Sequence, residues 1–171
     1  MNSSPLLAAH PFPLIRGGGL FVLFVGLSIL IGALAPRRRW AWFIAGTIAA
    51  SVVATLTARA FNGKPSAFQL ECLIAAVFTE VIVLGWLGNR LRGAPERQRV
   101  LSILLVVGAH FFLMGPAFGP LIVLLGFMTV VNAVAGLYTT VAPWPVFWAV
   151  DGVLKTAIGG AMFLYAPRIG W

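Results

Sequence analysis

Long apolar stretches separated by short polar gaps run through the whole chain. Six of them are each near the ~20 residues that an α-helix needs to cross about 30 Å of hydrocarbon. The pattern therefore predicts an all-α protein, a polytopic bundle of transmembrane helices that forms a single domain over residues 1–171. The predicted spans are residues 17–35, 40–58, 72–91, 99–114, 120–140 and 146–166.

The fourth span is the shortest, because Gly115 and Pro116 interrupt it. Proline does not continue a helix, and glycine next to proline is a typical turn signal. We therefore predict a tight hairpin at residues 115–120. The alternative is one long helix through both neighbouring spans. It would reduce the crossings to five, but so long a helix does not fit one bilayer without a break.

The composition agrees with lipid as the solvent of this protein. Hydrophobic residues make up 60% of the chain and charged residues 9%, and the mean hydropathy is +0.98. Soluble domains carry about 25% charged residues, so this chain has too few to cover a surface that faces water.

The net charge of +8 does not indicate a nucleic-acid-binding protein, because no basic helix face with interleaved aromatic residues accompanies it. Most of the positive charge lies in two gaps between spans, in the clusters Arg37, Arg38, Arg39 and Arg90, Arg92, Arg97, Arg99. The positive-inside rule places both gaps in the cytoplasm and therefore both termini outside. With an arginine-, alanine- and glycine-rich composition, this favours the cytoplasmic (inner) membrane of a bacterium.

Small residues predict where the helices contact one another, and tryptophans predict which positions lie at the membrane surface. Small residues four apart let helix backbones approach closely in lipid. They predict contact faces at Gly46, Ala50, Ala54 and Ala58 in the second span and at Gly152, Thr156 and Gly160 in the sixth. Indole rings prefer the headgroup zone, which predicts an interfacial position for Trp40, Trp42, Trp86, Trp144, Trp148 and Trp171.

Five ionisable or amide side chains lie deep within the predicted spans, and these carry any chemistry that the protein performs. A charge at the centre of a bilayer costs about 2.5–3.5 kcal/mol on insertion scales, so such groups are expected to face the bundle interior and to meet there. The candidate binding or proton-pathway residues are Glu80, His110, Asn132, Asp151 and Lys155.

The charges of these candidates suggest a titrating site. Asp151 and Lys155 are four residues apart and can form an ion pair on one helix, and Glu80 is a second partner for Lys155 from across the bundle. Two carboxylates that share one ammonium leave an excess negative charge. Either His110 becomes protonated to balance it, or one carboxyl group holds a proton.

A purely structural interpretation stands beside this one. Asp151 and Lys155 can neutralise each other and lock the register of the sixth helix, while His110 and Asn132 can serve as hydrogen bonds between helices. No signature of an enzyme, metal site or cofactor site is present, and the single Cys72 excludes an internal disulfide. We therefore assign no catalytic or metal-binding residue and no cofactor.

The motif around His110 and the 115–120 turn, together with Asn132 and the segment from Asp151 to Lys155, resembles small bacterial membrane proteins that are grouped as a domain of unknown function. The resemblance covers roughly the last 60 residues. It implies a membrane fold of several helices and assigns no activity to any residue.

Three functions are compatible with these observations. The first is a small transporter or channel with a buried, proton-titrating site for an unknown small molecule or ion. The second is a membrane assembly protein in which the buried charges only fix helix packing, and the third is a membrane-embedded enzyme acting on a lipid or quinone. The expected partner is the lipid bilayer, without nucleic acid, and so small a bundle is compatible with a homo-oligomer.

Overall fold

The computed structural model describes residues 11–165, so Trp171, which the sequence places at the interface, lies outside the described residues. These residues form α-helices and no strand, which confirms the all-α class. The helices are α1 (Ile15–Leu34), α2 (Arg39–Phe61), α3 (Ala67–Arg90), α4 (Glu96–Phe118), α5 (Pro120–Tyr138) and α6 (Trp144–Tyr165), with a short 3-10 turn at Pro36–Arg38. All six are long and apolar enough to cross a membrane, which favours six spans over five.

The prediction that α4 ends before Gly115 is wrong, because the helix continues through Pro116 to Phe118. Pro116 lies in the last turn of α4, so the backbone hydrogen bond that its missing N–H removes is one of the last in the helix. The chain reverses only at Gly119, whose φ of 89° is open to glycine but strained for other residues. Its N–H donates to the Gly115 carbonyl at 2.7 Å, and Pro120 then begins α5 at a position where proline is favoured.

The six helices form an arc, and α4 also contacts α1 and α6 across its inside. Helix α1 packs on α2 and on α6, α6 also packs on α5, α5 packs on α4, and α4 packs on α3. The spatial order is therefore α2–α1–α6–α5–α4–α3. Helices α2 and α3 stand at the two ends of the arc without an extended contact between them, which leaves the inside of the arc open between these two helices.

Glycines allow the backbones of α1 and α6 to approach each other closely. A Cβ atom added to Gly159 would lie 2.5 Å from the backbone nitrogen of Leu23, and one added to Gly19 would lie 2.8 Å from the Gly159 carbonyl oxygen. The predicted contact at Gly160 is wrong, since a Cβ there would meet nothing within 4 Å. The contact face therefore runs through Gly159, one position earlier.

The two arginine clusters lie at the same end of the bundle, which we call the basic end. Arg39 of α2 approaches Glu96 of α4 at 4.0 Å and stacks over the ring of Trp144 at 4.2 Å. Arg97 of α4 reaches the C-terminal end of α5 with its side chain. It donates to the carbonyl oxygens of Gly136 at 2.9 Å, Ala142 at 3.1 Å and Thr139. Its guanidinium thus satisfies the carbonyl of Gly136, which the end of α5 leaves without a partner, and two carbonyls of the segment that follows.

The opposite end of the bundle is joined by amide side chains. The N–H of Gly17 donates to Oδ1 of Asn62 at 3.0 Å, which ties the start of α1 to the end of α2. Gln69 forms a capping box with Ser66 at the start of α3. Its side chain also donates to the carbonyls of Pro11 and Pro116, each at 2.9 Å. These bonds connect the outer helix α3 to α4 and to the segment before α1.

Candidate functional site: an apolar cavity with a buried charged cluster

A cavity of about 430 Å³ fills the inside of the arc. All six helices contribute to its wall, which is largely apolar and aromatic. Four of the five polar residues predicted from the sequence line it, and we call these four the charged cluster: Glu80, His110, Asp151 and Lys155. The helices α3, α4 and α6 supply these side chains, so side chains distant in sequence meet in one space.

Asp151 and Lys155 form the most deeply buried pair of the charged cluster. Their side chains are 1% and 3% exposed, and Nζ of Lys155 lies 2.5 Å from Oδ1 of Asp151. The hydroxyl of Thr129 on α5 donates to the same carboxylate oxygen at 3.1 Å. The pair is thus formed within α6, as its spacing of four residues allows, and α5 holds the carboxylate in place.

Glu80 and His110 form a looser pair on the other side of the cavity. Oε1 of Glu80 on α3 lies 3.5 Å from Nδ1 of His110 on α4, which is longer than an ordinary hydrogen bond. The Glu80 side chain is 23% exposed, whereas that of His110 is 7% exposed. Lys155 interacts electrostatically with both residues, which couples this pair to the first.

Two atoms of the charged cluster have no hydrogen-bond partner among the described residues. They are Oδ2 of Asp151 and Nδ1 of His110, and both are buried. Most buried polar atoms in proteins are hydrogen-bonded, and each exception asks for an explanation. Both belong to residues that line the cavity, so the site has hydrogen-bonding capacity that the described residues do not use.

Asn132, the fifth predicted residue, does not line the cavity. Its side-chain amide donates to the carbonyl oxygen of Phe147 at 2.8 Å and so joins α5 to α6. The structure places it outside the charged cluster, in a contact between helices.

Aromatic side chains line the cavity towards the basic end, and sequence reasoning placed one of them elsewhere. Trp148 is buried rather than interfacial, and its indole N–H donates to the carbonyl oxygen of Ile29 at 3.1 Å. Its ring meets those of Trp40 and Phe43 edge to face, with centroids 5.4 and 5.7 Å apart. Trp40 shares this wall. Trp148 lies only two residues inside the start of the predicted sixth span, and nothing in the sequence marks its side chain as pointing inward.

Other features of the site were hidden in the sequence. Thr129 is one of many hydroxyl residues in the apolar spans, and nothing in its position marks it as the partner of Asp151. The ring of Phe111 lies 5.6 Å from Nζ of Lys155, a distance at which an aromatic face stabilises a cation. Within residues 11–165, no group of three or more His, Cys, Asp or Glu side chains is placed to hold a metal ion.

No curated protein and no solved structure matches this chain. The model of one family, described as a family of unknown function (DUF6609), matches residues 8–169. The resemblance to an uncharacterised family is thereby confirmed, and it extends over nearly the whole chain rather than the last third. Since the match exceeds half of the chain, this protein belongs to the family of unknown function DUF6609.

Proposed function

We propose that this protein is a small transporter that carries a small molecule or ion through the cavity and couples its movement to a proton held by the charged cluster. The observation that carries the proposal is the convergence of four ionisable side chains from three helices on one cavity inside six apolar helices. Ionisable groups within membrane spans are costly and usually mark ion or substrate pathways.

The charge balance of the cluster supports a role for a proton. With the imidazole of His110 neutral, Glu80 and Asp151 contribute two negative charges and Lys155 one positive charge. An uncompensated charge in an apolar cavity is unfavourable, so the empty site would be more stable with one proton added. Glu80 is the natural carrier of that proton, because it is the most exposed member of the cluster and lacks a close cationic partner.

The proposal places the protein in the bacterial cytoplasmic membrane, with the basic end in the cytoplasm and both termini outside. The contact between Arg39 and Glu96 supports this orientation, because it joins the two arginine-rich loops at one end of the bundle. This end carries more arginine than the opposite end, which has Arg16, Arg59 and Lys64, and such an excess is what the positive-inside rule requires.

Proton flux in reconstituted vesicles tests the proposed function. The purified chain is inserted into vesicles of phosphatidylethanolamine and phosphatidylglycerol that contain a pH-sensitive dye, and a potassium gradient with valinomycin drives protons inward. No substrate is added, so the assay measures the uncoupled proton movement that an exchangeable carboxyl group in the cavity permits. We expect acidification above that of protein-free vesicles, and we expect Glu80→Gln to abolish it. The matched control is Glu71→Gln, because Glu71 is exposed on the same helix and does not line the cavity.

Flux that is no faster than in protein-free vesicles, from protein that elutes as a single folded species, would contradict the transport proposal. Equal proton flux in the wild type and in Glu80→Gln would show that the transported proton is not carried by Glu80.

One observation favours a second candidate, an assembly protein in which the buried charges only fix helix packing. The pair of Asp151 and Lys155, with the Thr129 hydroxyl, is complete without a ligand on the shared oxygen Oδ1. In that case Glu80→Gln and Lys155→Met would lower the amount of folded protein in the membrane. The folded fraction that remains would carry no proton flux in either variant or in the wild type.

A further inference from the structure

We propose that the cavity binds a lipophilic monocation, which enters from the lipid through the gap between α2 and α3 and displaces a proton from Glu80. This inference rests on the proposed function in one respect, since both assign the ligand to the charged cluster. It adds the chemical class of the ligand and its route.

The gap between α2 and α3 supplies the route. Thr47 and Ala54 line the cavity from α2, while Val77 and Glu80 line it from α3. Val77 is also 48% exposed, so it lies at the mouth of the cavity rather than in its depth. Because α2 and α3 have no extended contact with each other and both have the length and hydropathy of a membrane span, this mouth faces the acyl chains of the bilayer.

The net charge of the charged cluster indicates the sign and size of the charge on the ligand. Two carboxylates and one ammonium leave a net charge of one negative unit, which a single cation neutralises. A dication would leave an excess positive charge in the cavity, and an anion would add to the negative one. Since an unbalanced charge is expensive in an apolar site, complementarity favours one positive charge on the ligand.

The volume and the lining of the cavity indicate the size and the chemical character of the ligand. A volume of about 430 Å³ lies within the range of roughly 300–1,000 Å³ that is typical of small-molecule sites. The rings of Trp40, Phe43, Phe111 and Trp148 belong to the lining. Aromatic faces attract cations most strongly where water is excluded, so these rings favour a flat or aromatic organic cation over a hydrated metal ion.

Exchange with a proton follows from the same charge balance. In the empty site the carboxyl group of Glu80 keeps its proton, and on binding the O–H bond breaks, the proton leaves to water and the carboxylate remains beside the cation. His110, Lys155 and Asp151 are the titratable or charged groups that face Glu80 across the cavity. Of these, Lys155 and Asp151 already neutralise each other, so one proton is released for each cation bound.

Binding of tetraphenylphosphonium to the full chain in dodecylmaltoside micelles, followed by titration calorimetry, tests the ligand class. We expect saturable binding of one cation with release of about one proton, and an affinity that falls by up to about tenfold per pH unit on acidification. Tetraphenylborate has the same shape and the opposite charge, and it is expected not to bind. Glu80→Gln should weaken binding at least about tenfold and abolish proton release, because neutral glutamine mimics the protonated acid. Glu71→Gln should bind as the wild type does.

Three results would each overturn the assignment of a monocation: no saturable binding of tetraphenylphosphonium, equal binding of tetraphenylborate, or an unchanged affinity in Glu80→Gln.

The route is tested with a bulky side chain at the mouth. Val77→Trp should slow the association of radiolabelled tetraphenylphosphonium at least about tenfold, because the indole obstructs the gap between α2 and α3. Val81→Trp is the matched control, since Val81 is exposed on the same helix and does not line the cavity. Elution as a single species shows that each variant is folded, and wild-type association in Val77→Trp would exclude this route.

The failure of this inference is distinguishable from that of the proposed function. Glu80-dependent proton flux without cation binding would support transport and overturn the ligand class. Cation binding with proton release, but without flux in vesicles, would support the ligand class and contradict transport.

Discussion

The ammonium of Lys155 lies 2.5 Å from Oδ1 of Asp151, one helical turn earlier on α6, and both side chains are buried in the middle of the bundle. This pair neutralises itself within one helix. Glu80 is therefore the carboxyl group of the charged cluster that has no cationic side chain at short range. In the proposed function it is the member of the cluster that gains and loses a proton.

Removal of one partner of the buried pair is expected to destabilise the protein strongly. Lys155→Met leaves the Asp151 carboxylate with only the Thr129 hydroxyl, and an unpaired buried charge costs about 3–5 kcal/mol. We expect a lower midpoint of thermal unfolding in micelles. The combined variant Asp151→Leu with Lys155→Met should be more stable than either single variant, because apolar replacements of similar volume remove both charges.

Lys64→Met is the control for this series, since Lys64 is exposed in the loop before α3. An unfolding midpoint of Lys155→Met equal to that of the wild type would show that the ion pair does not stabilise the bundle.

The two neighbouring glycines of α6 are expected to respond oppositely to the same added methyl group. Gly159→Ala places a Cβ within 2.5 Å of the backbone of Leu23, so α1 and α6 must separate, at a cost of about 1–3 kcal/mol. Gly160→Ala meets nothing within 4 Å and should leave the unfolding midpoint unchanged or raise it slightly. Equal stability of the two variants would contradict the close packing of α1 on α6.

Arg97 is expected to stabilise the basic end through its fork of donors rather than its charge alone. Arg97→Lys keeps the charge, but a single ammonium does not reach all three carbonyls of Gly136, Thr139 and Ala142. Hydrogen bonds from charged groups contribute about 1.5–3 kcal/mol each, so loss of one or two should be measurable by thermal unfolding.

Arg99→Lys is the comparison for Arg97→Lys, because Arg99 is exposed two residues later on α4. We also expect faster hydrogen exchange at the end of α5 in Arg97→Lys alone. The same exchange rates in both variants would mean that Arg97 does not cap this helix.

The indole N–H of Trp148 is expected to hold α6 against α1. Trp148→Phe retains an aromatic ring but removes the hydrogen bond to the carbonyl of Ile29, which contributes about 0.5–1.5 kcal/mol as one net hydrogen bond. The exposed Trp86 on α3 provides the control substitution Trp86→Phe. If both substitutions lower the unfolding midpoint by the same amount, the hydrogen bond to Ile29 is not the cause.

The number of helices and the identity of the buried charges could be read from the sequence, because both depend on local properties. Each of the six apolar stretches satisfies the length of a bilayer by itself, and a charged residue within such a stretch is recognisable without knowledge of its neighbours. The ion pair of Asp151 and Lys155 is similarly local, because a spacing of four residues places both on one helix face.

Only the tertiary structure decided which side chains meet and where the bundle opens. Contact with Leu23 selects Gly159 over Gly160, the carbonyl of Phe147 draws Asn132 away from the cavity, and packing on Ile29 turns Trp148 inward. The gap between α2 and α3 has the same origin, since helix neighbours in lipid are chosen by the fit of whole surfaces. Such a fit depends on residues far apart in the chain, and the hydropathy of a single helix does not contain it.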